Sequence, residues 1–474
     1  MTSSNKLALI SIFLFSNLFA FENYPNPFER SFIHYRYHQN IQVSTEYNFS
    51  ELPISPSAPM LLNIQRFYES TIGESNKINI GAYPLLNTSS DNYSLRSILS
   101  ININNFTIHN TMILNTILDD DSNYIGFEWR NFTGFAEEGY IRYREQFKSL
   151  GIVITYGRFY DIWGEARTDQ LFLSSASRPL DQLKMKVRFK RFTFISKIAQ
   201  LDKIGVIRRY FSAHRMTYKN DLFQIGFSES VLYGGENSSI EMTYLNPFLI
   251  FHGEKKNGPE LDSNTMLAID GRLFLNNKSI YFEFLIDDYQ ADADVIDDLE
   301  PNELGLILGA DISFEKMYLG LEYVGITNRT YKTPEDYEWY IHRNIPIGYG
   351  EGSDLWRANV FSRYYYSQDW QFDLEIDYLV KGEGEMSKPW DTPWNDDGIT
   401  MDTGYDETFP TGILEKQFST SIGAFRMFDH NKWVSIELKY LSTKNVDHIT
   451  NANADDFNVS FGLSWVFTKE FNLE

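Results

Sequence analysis

The amino-acid sequence predicts an all-β protein, a closed antiparallel transmembrane β-barrel preceded by a short helical N-terminal element on the periplasmic side. Three observations carry this. The chain opens with an export-like leader. Long segments alternate apolar and polar residues with period 2. The connectors between those segments are short at one end and long at the other.

The leader has Lys6 followed by the apolar run Leu7–Ala20. That run is too short to span a bilayer as a helix and reads as a signal peptide over residues 1–20. No later segment has the 18 consecutive apolar residues of a transmembrane helix. Residues 21–94 are expected to form an N-terminal periplasmic segment. After Pro59, the spacing of Met60, Leu61, Ile64 and Tyr68 predicts a short helix, and a first strand could lie in the same segment. The barrel is expected over residues 95–474.

Within that region WQFDLEIDY, 370 to 378, alternates without a break. Trp370, Phe372, Leu374, Ile376 and Tyr378 share one face, and Asp373, Glu375 and Asp377 share the other. LGIVITYGRF places Leu150, Ile152, Ile154 and Tyr156 together, and YIGFEWR does the same for Ile125, Phe127 and Trp129. LKMKVRF sets Leu183, Met185, Val187 and Phe189 against a basic row, Lys184, Lys186 and Arg188. The last such segment, FNVSFGLSWVF, runs to Phe467. In a soluble sandwich the charged rows would meet bulk water. A closed barrel turns them inward, where opposite rows can pair across a wet lumen.

Connectors around Lys190 and around Asn276-Asn277 read as hairpin turns. Those at 290–303, 330–354 and 381–412 are long and acidic.

Composition narrows the function. The formal net charge is −22, which argues against nucleic acid as a partner. The chain has no cysteine, which removes disulfides, thiolate metal sites and a cysteine nucleophile. The eight histidines are scattered, and His34, Arg36 and His38 alternate with apolar residues as on a strand. No cofactor or metal is expected. Adjacent acids such as Asp287-Asp288 and Asp396-Asp397 lack the spacing of a calcium loop or of a glycosidase pair, and read as solvated loop. Aromatic residues make up 16 % of the chain, and several fall in the long loops. Trp390 and Trp394 lie among acids, and Tyr337 and Trp339 beside His342 and Arg343. Such rings can stack on sugar faces while neighbouring polar groups bond the hydroxyls, or can pack the loops on one another.

Three stretches together resemble the Wzi family of capsule-assembly proteins: GRFYDIWGEARTDQLFLSSASRP (157–179), ESVLYGGENSSIEMTYLNPF (229–248), and EYVGITNRTY (322–331) continuing through YIHRNIPIGYGEGSD (340–354). IYFEFLIDDYQ, 280 to 290, fits the same pattern. The resemblance covers the chain from about residue 95 to its end. It implies an outer-membrane barrel of about 18 strands with helical material at the periplasmic end, acting without catalysis as a surface lectin that holds capsular or exported polysaccharide. Lipid and the barrel-assembly machinery would be its other partners. The N-terminal helical part here is shorter than the family's, and the chain runs past its last strand from Thr468 to Glu474.

The candidate polysaccharide-binding residues are Arg158, Asp161, Trp163, Arg178, Asp287, Asp288, Gln290, Tyr337, Trp339, His342, Arg343, Asp354, Trp390 and Trp394. Several of these also have architectural readings. Arg178 could pair with Asp181 or Asp169, Asn246-Pro247 could end a strand, and Gly234-Gly235 could supply freedom at a turn. A porin-like channel is the second reading and a secreted polysaccharide-active enzyme the third.

Overall fold

The computed structural model describes residues 76–473, apart from 88–91, 117–127, 130–131, 175, 221, 255–262, 276–277, 291–294, 315, 368–369, 429–431 and 466. The leader, the helix expected near Met60, the histidines at 34 and 38, Ile125 and Phe127 of the expected YIGFEWR strand, and the turn at Asn276-Asn277 lie outside the described residues.

The expected strands form one 20-stranded sheet in which each long strand is antiparallel to its neighbours in sequence. The sheet already includes Lys77–Asn87, upstream of residue 95, and its next strand, Asn92–Ile103, begins just ahead of that residue. Its first strand pairs on one side with the second, Lys77 opposite Asn102, and on the other with the end of the chain, Lys77 opposite Asn472. Asn453–Trp465 and Phe467–Asn472 both contribute to that last pairing. Apart from the short pieces Glu128–Trp129, Ile341–His342, Ile345–Pro346 and Phe467–Asn472, the strands run from 9 residues, Phe192–Gln200, to 16, Phe132–Phe147. Among the described residues, no helix is long and apolar enough to cross a membrane, which leaves open a crossing by strands.

Connection lengths segregate as the sequence predicts. Phe147 and Leu150 pair across a two-residue turn, as do Phe189 and Phe192, where Lys190 adopts φ 53°. The connections at the opposite end include 160–179, 236–262, 327–354 and 382–414.

The two faces of the sheet are opposite in character, and the burial is inverted relative to a soluble protein. Phe372, Leu374 and Ile376 are each 40 % exposed, whereas Asp373, Glu375 and Asp377 are 3 %, 6 % and 8 % exposed. Ile154 and Tyr156 are likewise exposed while Val153 and Thr155 are buried. One face is therefore open and apolar, and the other is polar and covered. The long loops supply the cover. Residues 160–179 and 327–349 lie against the covered face and pack with Phe211, Leu232, Leu285 and Ile307 of the strands into one apolar cluster.

The charged rows pair with close neighbours rather than with opposite rows. Arg363 grips Asp373 on the adjacent strand (2.7 Å), Arg357 grips Asp377 (2.6 Å), and Arg215 grips Asp270 (2.5 Å). Lys184 and Lys197, side by side on neighbouring strands, both face Asp161 of the covering loop, at 3.5 and 3.7 Å. Loops lie over the covered face, so a charge meets its neighbour or the loop first. Two further expectations are corrected. Asn246 ends a short helix, Met242–Leu245, rather than a strand. Gly234 and Gly235 are the last residues of the Phe223–Gly235 strand, ahead of the turn.

Leu374→Arg tests the open face. Against hydrocarbon the substitution makes refolding into vesicles less favourable by about 2–4 kcal/mol. Facing water it would stay within about 0.5 kcal/mol.

Candidate functional site

The loop 160–179 leaves the Leu150–Phe159 strand, crosses the covered face and returns as the Leu180–Phe189 strand. Its backbone is held by two carboxylates from distant strands. Glu283 accepts hydrogen bonds from the N–H groups of Glu165 (2.5 Å), Ala166 (2.6 Å) and Leu171 (2.8 Å). Glu322 accepts from the N–H of Arg167 (2.6 Å) and Thr168 (3.0 Å), from the Thr168 hydroxyl, and from the Tyr281 hydroxyl (2.8 Å). Successive N–H groups converging on an anion form a nest, and here the anion comes from the wall. Gly164 sits at φ +146° with Glu283 directly against it, so a β-carbon there would collide with the carboxylate.

Side chains reinforce the clamp. Arg272 donates to Glu165 (3.0 Å), to the Glu165 carbonyl (2.7 Å) and to Asp311 (2.7 Å). Arg167 lies over the Phe361 ring, 4.7 Å from its centroid, and 3.9 Å from Glu375.

The loop 327–354 locks onto the first. The Tyr331 and Tyr340 hydroxyls donate to the carbonyls of Leu171 and Phe172, both at 2.7 Å, and Gly350 N–H donates to Asp169 (2.6 Å). Arg209, fully buried, donates to the carbonyls of Tyr337 (2.7 Å), Trp339 (2.5 Å) and Ile341 (3.0 Å). The loop 382–414 is tied down by Asp354, which accepts from Gly384 N–H (2.8 Å), Thr411 N–H (3.0 Å) and the Thr411 hydroxyl (2.5 Å). Arg329 bonds Glu407 (2.8 Å) and Asp391 (2.9 Å) and lies over Trp394.

This arrangement sorts the candidate residues. Trp163 is 2 % exposed and stacked on Phe172, so it packs the covering loop and offers no free ring face. Trp394 and Asp354 are buried in the same sense. Asp287 is spent on the Tyr331 N–H (2.6 Å). Asp161 is the counter-ion of the two lysines. His342 is buried against Asp202 (3.1 Å). Burial holds its imidazole below the ordinary histidine range. Burial of Asp202 is outweighed by His342, the Arg343 N–H and Arg209, which keep that carboxyl below its usual range. The expected pairing of Arg178 gives way to another. Asp181 is taken by Arg158 through two hydrogen bonds (2.9 and 2.6 Å), and Asp169 by Ser174, Gln170 and Gly350, while Arg178 lies over the Phe135 ring.

A smaller set stays accessible at the loop end. Asp288 is exposed beside Tyr289, and Gln290 is half-buried, its side-chain amide reaching Asp288 (3.4 Å). Tyr337, Trp339, Arg343 and Trp390 are half-buried, and the Arg158–Asp181 pair stands partly open. Among the described residues, no group of three or more His, Asp or Glu is arranged to hold a metal ion. Glu283, Glu322, Arg272 and Arg209 were not among the candidates. The signal of the two glutamates is a lone charge inside an otherwise apolar run, as in YFEFL and GLEYV, whereas Arg209 follows Arg208 and Arg272 lies close to Asp270.

An all-antiparallel sheet with an apolar open face and a loop-filled polar face defines a class of β-sheet protein organised inside out. The chain belongs to the capsule assembly protein Wzi family, whose model matches residues 134–453. The chain is similar in structure to Wzi of Escherichia coli, an outer-membrane protein involved in group 1 capsule assembly and described as a carbohydrate-binding β-barrel. The two are 13 % identical over 94 % of this chain and 99 % of that one, with a TM-score of 0.57. OprD of Pseudomonas aeruginosa is 11 % identical over 84 % and 95 % of the two chains, with a TM-score of 0.44. No curated protein sequence matches the chain significantly.

Glu283→Ala tests the clamp. It leaves three buried N–H groups without an acceptor, at about 1–3 kcal/mol for each unsatisfied group. Limited proteolysis within 160–179 should accelerate strongly, and more so in Glu283→Ala/Glu322→Ala. Unchanged cleavage would mean that the loop is held by its apolar side chains alone.

Proposed function

We propose that the chain is a closed outer-membrane β-barrel whose lumen is plugged by its own loops, and that it binds exported or capsular polysaccharide at the extracellular mouth during capsule assembly, without catalysis. The carrying observation is the inverted burial together with the loop clamp. Carboxylates line the covered face, apolar side chains line the open one, and the loops that fill the covered side all come from one end. A membrane accounts for the first pattern, since lipid takes the place of an apolar core.

The count of about 18 strands follows if Glu128–Trp129 is an extension of its neighbour and Asn453–Trp465 with Phe467–Asn472 is one interrupted strand. The pairing of the first strand with the last supports closure. The tight turns then lie in the periplasm, as do both ends of the sheet, and the long loops face outward. Residues 1–20 would be removed on export and residues 21–76 would remain on the periplasmic side. The barrel-assembly machinery and lipid are the partners this implies.

Sugar contact falls to the residues the architecture leaves accessible: Trp390, Tyr337, Trp339, Arg343, Asp288, Gln290 and the Arg158–Asp181 pair. Aromatic faces flanked by polar groups suit carbohydrate rings, and the cations suit carboxylate-bearing polymers despite the net negative charge of the chain. The plug weighs against the porin-like alternative.

Two outcomes test this reading. Deletion of the gene should release polysaccharide into the medium, and the full chain should restore its retention. Trp390→Ala/Arg343→Ala, present at the same level in the outer membrane, should restore only a fraction. Retention unaffected by deletion contradicts the binding role. In planar bilayers the parent chain should conduct little, whereas Glu283→Ala/Glu322→Ala should conduct several-fold more. High conductance of the parent would favour the channel.

A further inference from the structure

Not every long loop lies on the covered face. The segment 236–254 follows the Phe223–Gly235 strand and folds back over the open face instead. Alternate residues of the wall make this plain. Phe211, Ala213 and Leu232 belong to the cluster on the covered face. Their sequence neighbours Tyr210, Val231 and Tyr233 belong to a second cluster with Tyr244 and Phe251, against which Leu249 packs. Adjacent residues of a strand point to opposite faces, so Tyr244 and Phe251 sit on the open side.

The segment is anchored there by directed contacts. Glu241 N–H donates to the Tyr233 hydroxyl (3.1 Å), and the Tyr210 hydroxyl donates to the Ser238 carbonyl (3.3 Å). Phe248 stacks on Phe194, two strands away, with ring planes 8° apart. Beneath the segment lies a polar pair that would otherwise be unsuited to this face. His214 contacts Glu229 at 2.9 Å, and His252 N–H donates to the other Glu229 oxygen (2.7 Å). Both side chains are covered by the segment, with the Phe251 ring centroid 4.5 Å from that of His214.

The outer surface of the segment is apolar. Met242 is 77 % exposed, Phe248 85 % and Ile250 68 %, and no charged residue occurs from Met242 to Phe251. On the same face of the underlying strands, Phe192, Met216, Ile225 and Phe227 are exposed in turn, so the surface continues the apolar belt. A patch of this kind needs a non-aqueous neighbour.

We infer that residues 242–251 form a lateral lipid-contact flap, embedded in the acyl chains of the outer leaflet beside the barrel wall. The flap shields the His214–Glu229 pair from hydrocarbon and carries the apolar belt outward beyond the strands. Acyl chains are favoured over a protein partner because the surface is uncharged and merges with the belt that meets lipid elsewhere. The inference rests on the membrane-barrel reading, and its test separates the two.

The chain has no cysteine, so single-cysteine variants of the full chain carry one spin label each. Phe248→Cys and Ile250→Cys would be compared in phospholipid vesicles with Phe227→Cys on the belt and Asp397→Cys in the 382–414 loop. The readout is collision with oxygen, which concentrates in hydrocarbon, against collision with a water-soluble nickel chelate. All four replaced side chains lie at the surface, and migration on unheated gels verifies the fold of each variant. The flap variants should match the oxygen-to-nickel ratio of Phe227→Cys and exceed that of Asp397→Cys several-fold. Nickel access like that of Asp397→Cys would place the flap in water and overturn the inference. Exclusion of both reagents would place it against protein, a partner or a second copy, and overturn it equally. Nickel access at Phe227→Cys itself would instead overturn the membrane-barrel reading.

Discussion

Glu283 and Glu322 each bring a carboxylate to the covered face of the sheet, where water is scarce. A buried carboxylate without partners costs several kcal/mol, and a pair of them facing one another would cost more. Both are answered by the backbone of a single loop, whose N–H groups at 165, 166, 167, 168 and 171 converge on them. The same bonds satisfy the backbone of a loop that crosses the covered face outside the sheet. Neither part is stable alone in this place. From that junction the order spreads outward. The first loop presents the Leu171 and Phe172 carbonyls to Tyr331 and Tyr340, the second loop presents Asp354, and Asp354 fixes the third. The mouth is built on the wall by a chain of buried hydrogen bonds.

The apolar core follows from the same geometry. The strands contribute one small or aliphatic residue at a time to the covered face, such as Ala213, Leu232 and Ile307, and the loops contribute the bulk, Trp163, Phe172, Tyr331 and Tyr340. The core therefore forms between wall and loop. On the open face the strands keep their larger aliphatic and aromatic residues exposed, and among the described residues the 236–254 segment covers part of it. Two environments, one per face, explain why a chain of ordinary hydrophobic content carries so many exposed large side chains alongside buried ions.

Much of this was legible in the sequence. Period-2 alternation located the long strands and assigned their faces, as in 370–378, because each face keeps one environment along its whole length. The alternation of two-residue turns with long connectors gave the ends. The first two strands were less legible, since Pro84 interrupts the donor pattern of the first and serines break up the alternation of the second. The direction in which each loop folds was not legible at all. Trp163 and Trp394 carry the same local signature as Trp390, aromatic residues among polar ones, yet two are buried and one is half-buried. What decides is an acceptor more than a hundred residues away, as Glu283 is for Glu165. Asn246-Pro247 similarly read as a strand end because the local pattern does not reveal the aromatic wall on which that segment lies.

The most direct test of the account concerns what touches the open face. In the chain refolded into detergent micelles with selectively labelled methyl groups, nuclear Overhauser contacts can be read at Leu374 and Ile376 and compared with Ile307 and Ile347. The account predicts strong contacts from the detergent alkyl chains to Leu374 and Ile376, and contacts from protein alone at Ile307 and Ile347. Protein-only contacts at Leu374 and Ile376 would mean that this flank is sealed by another part of the molecule, and would contradict the account.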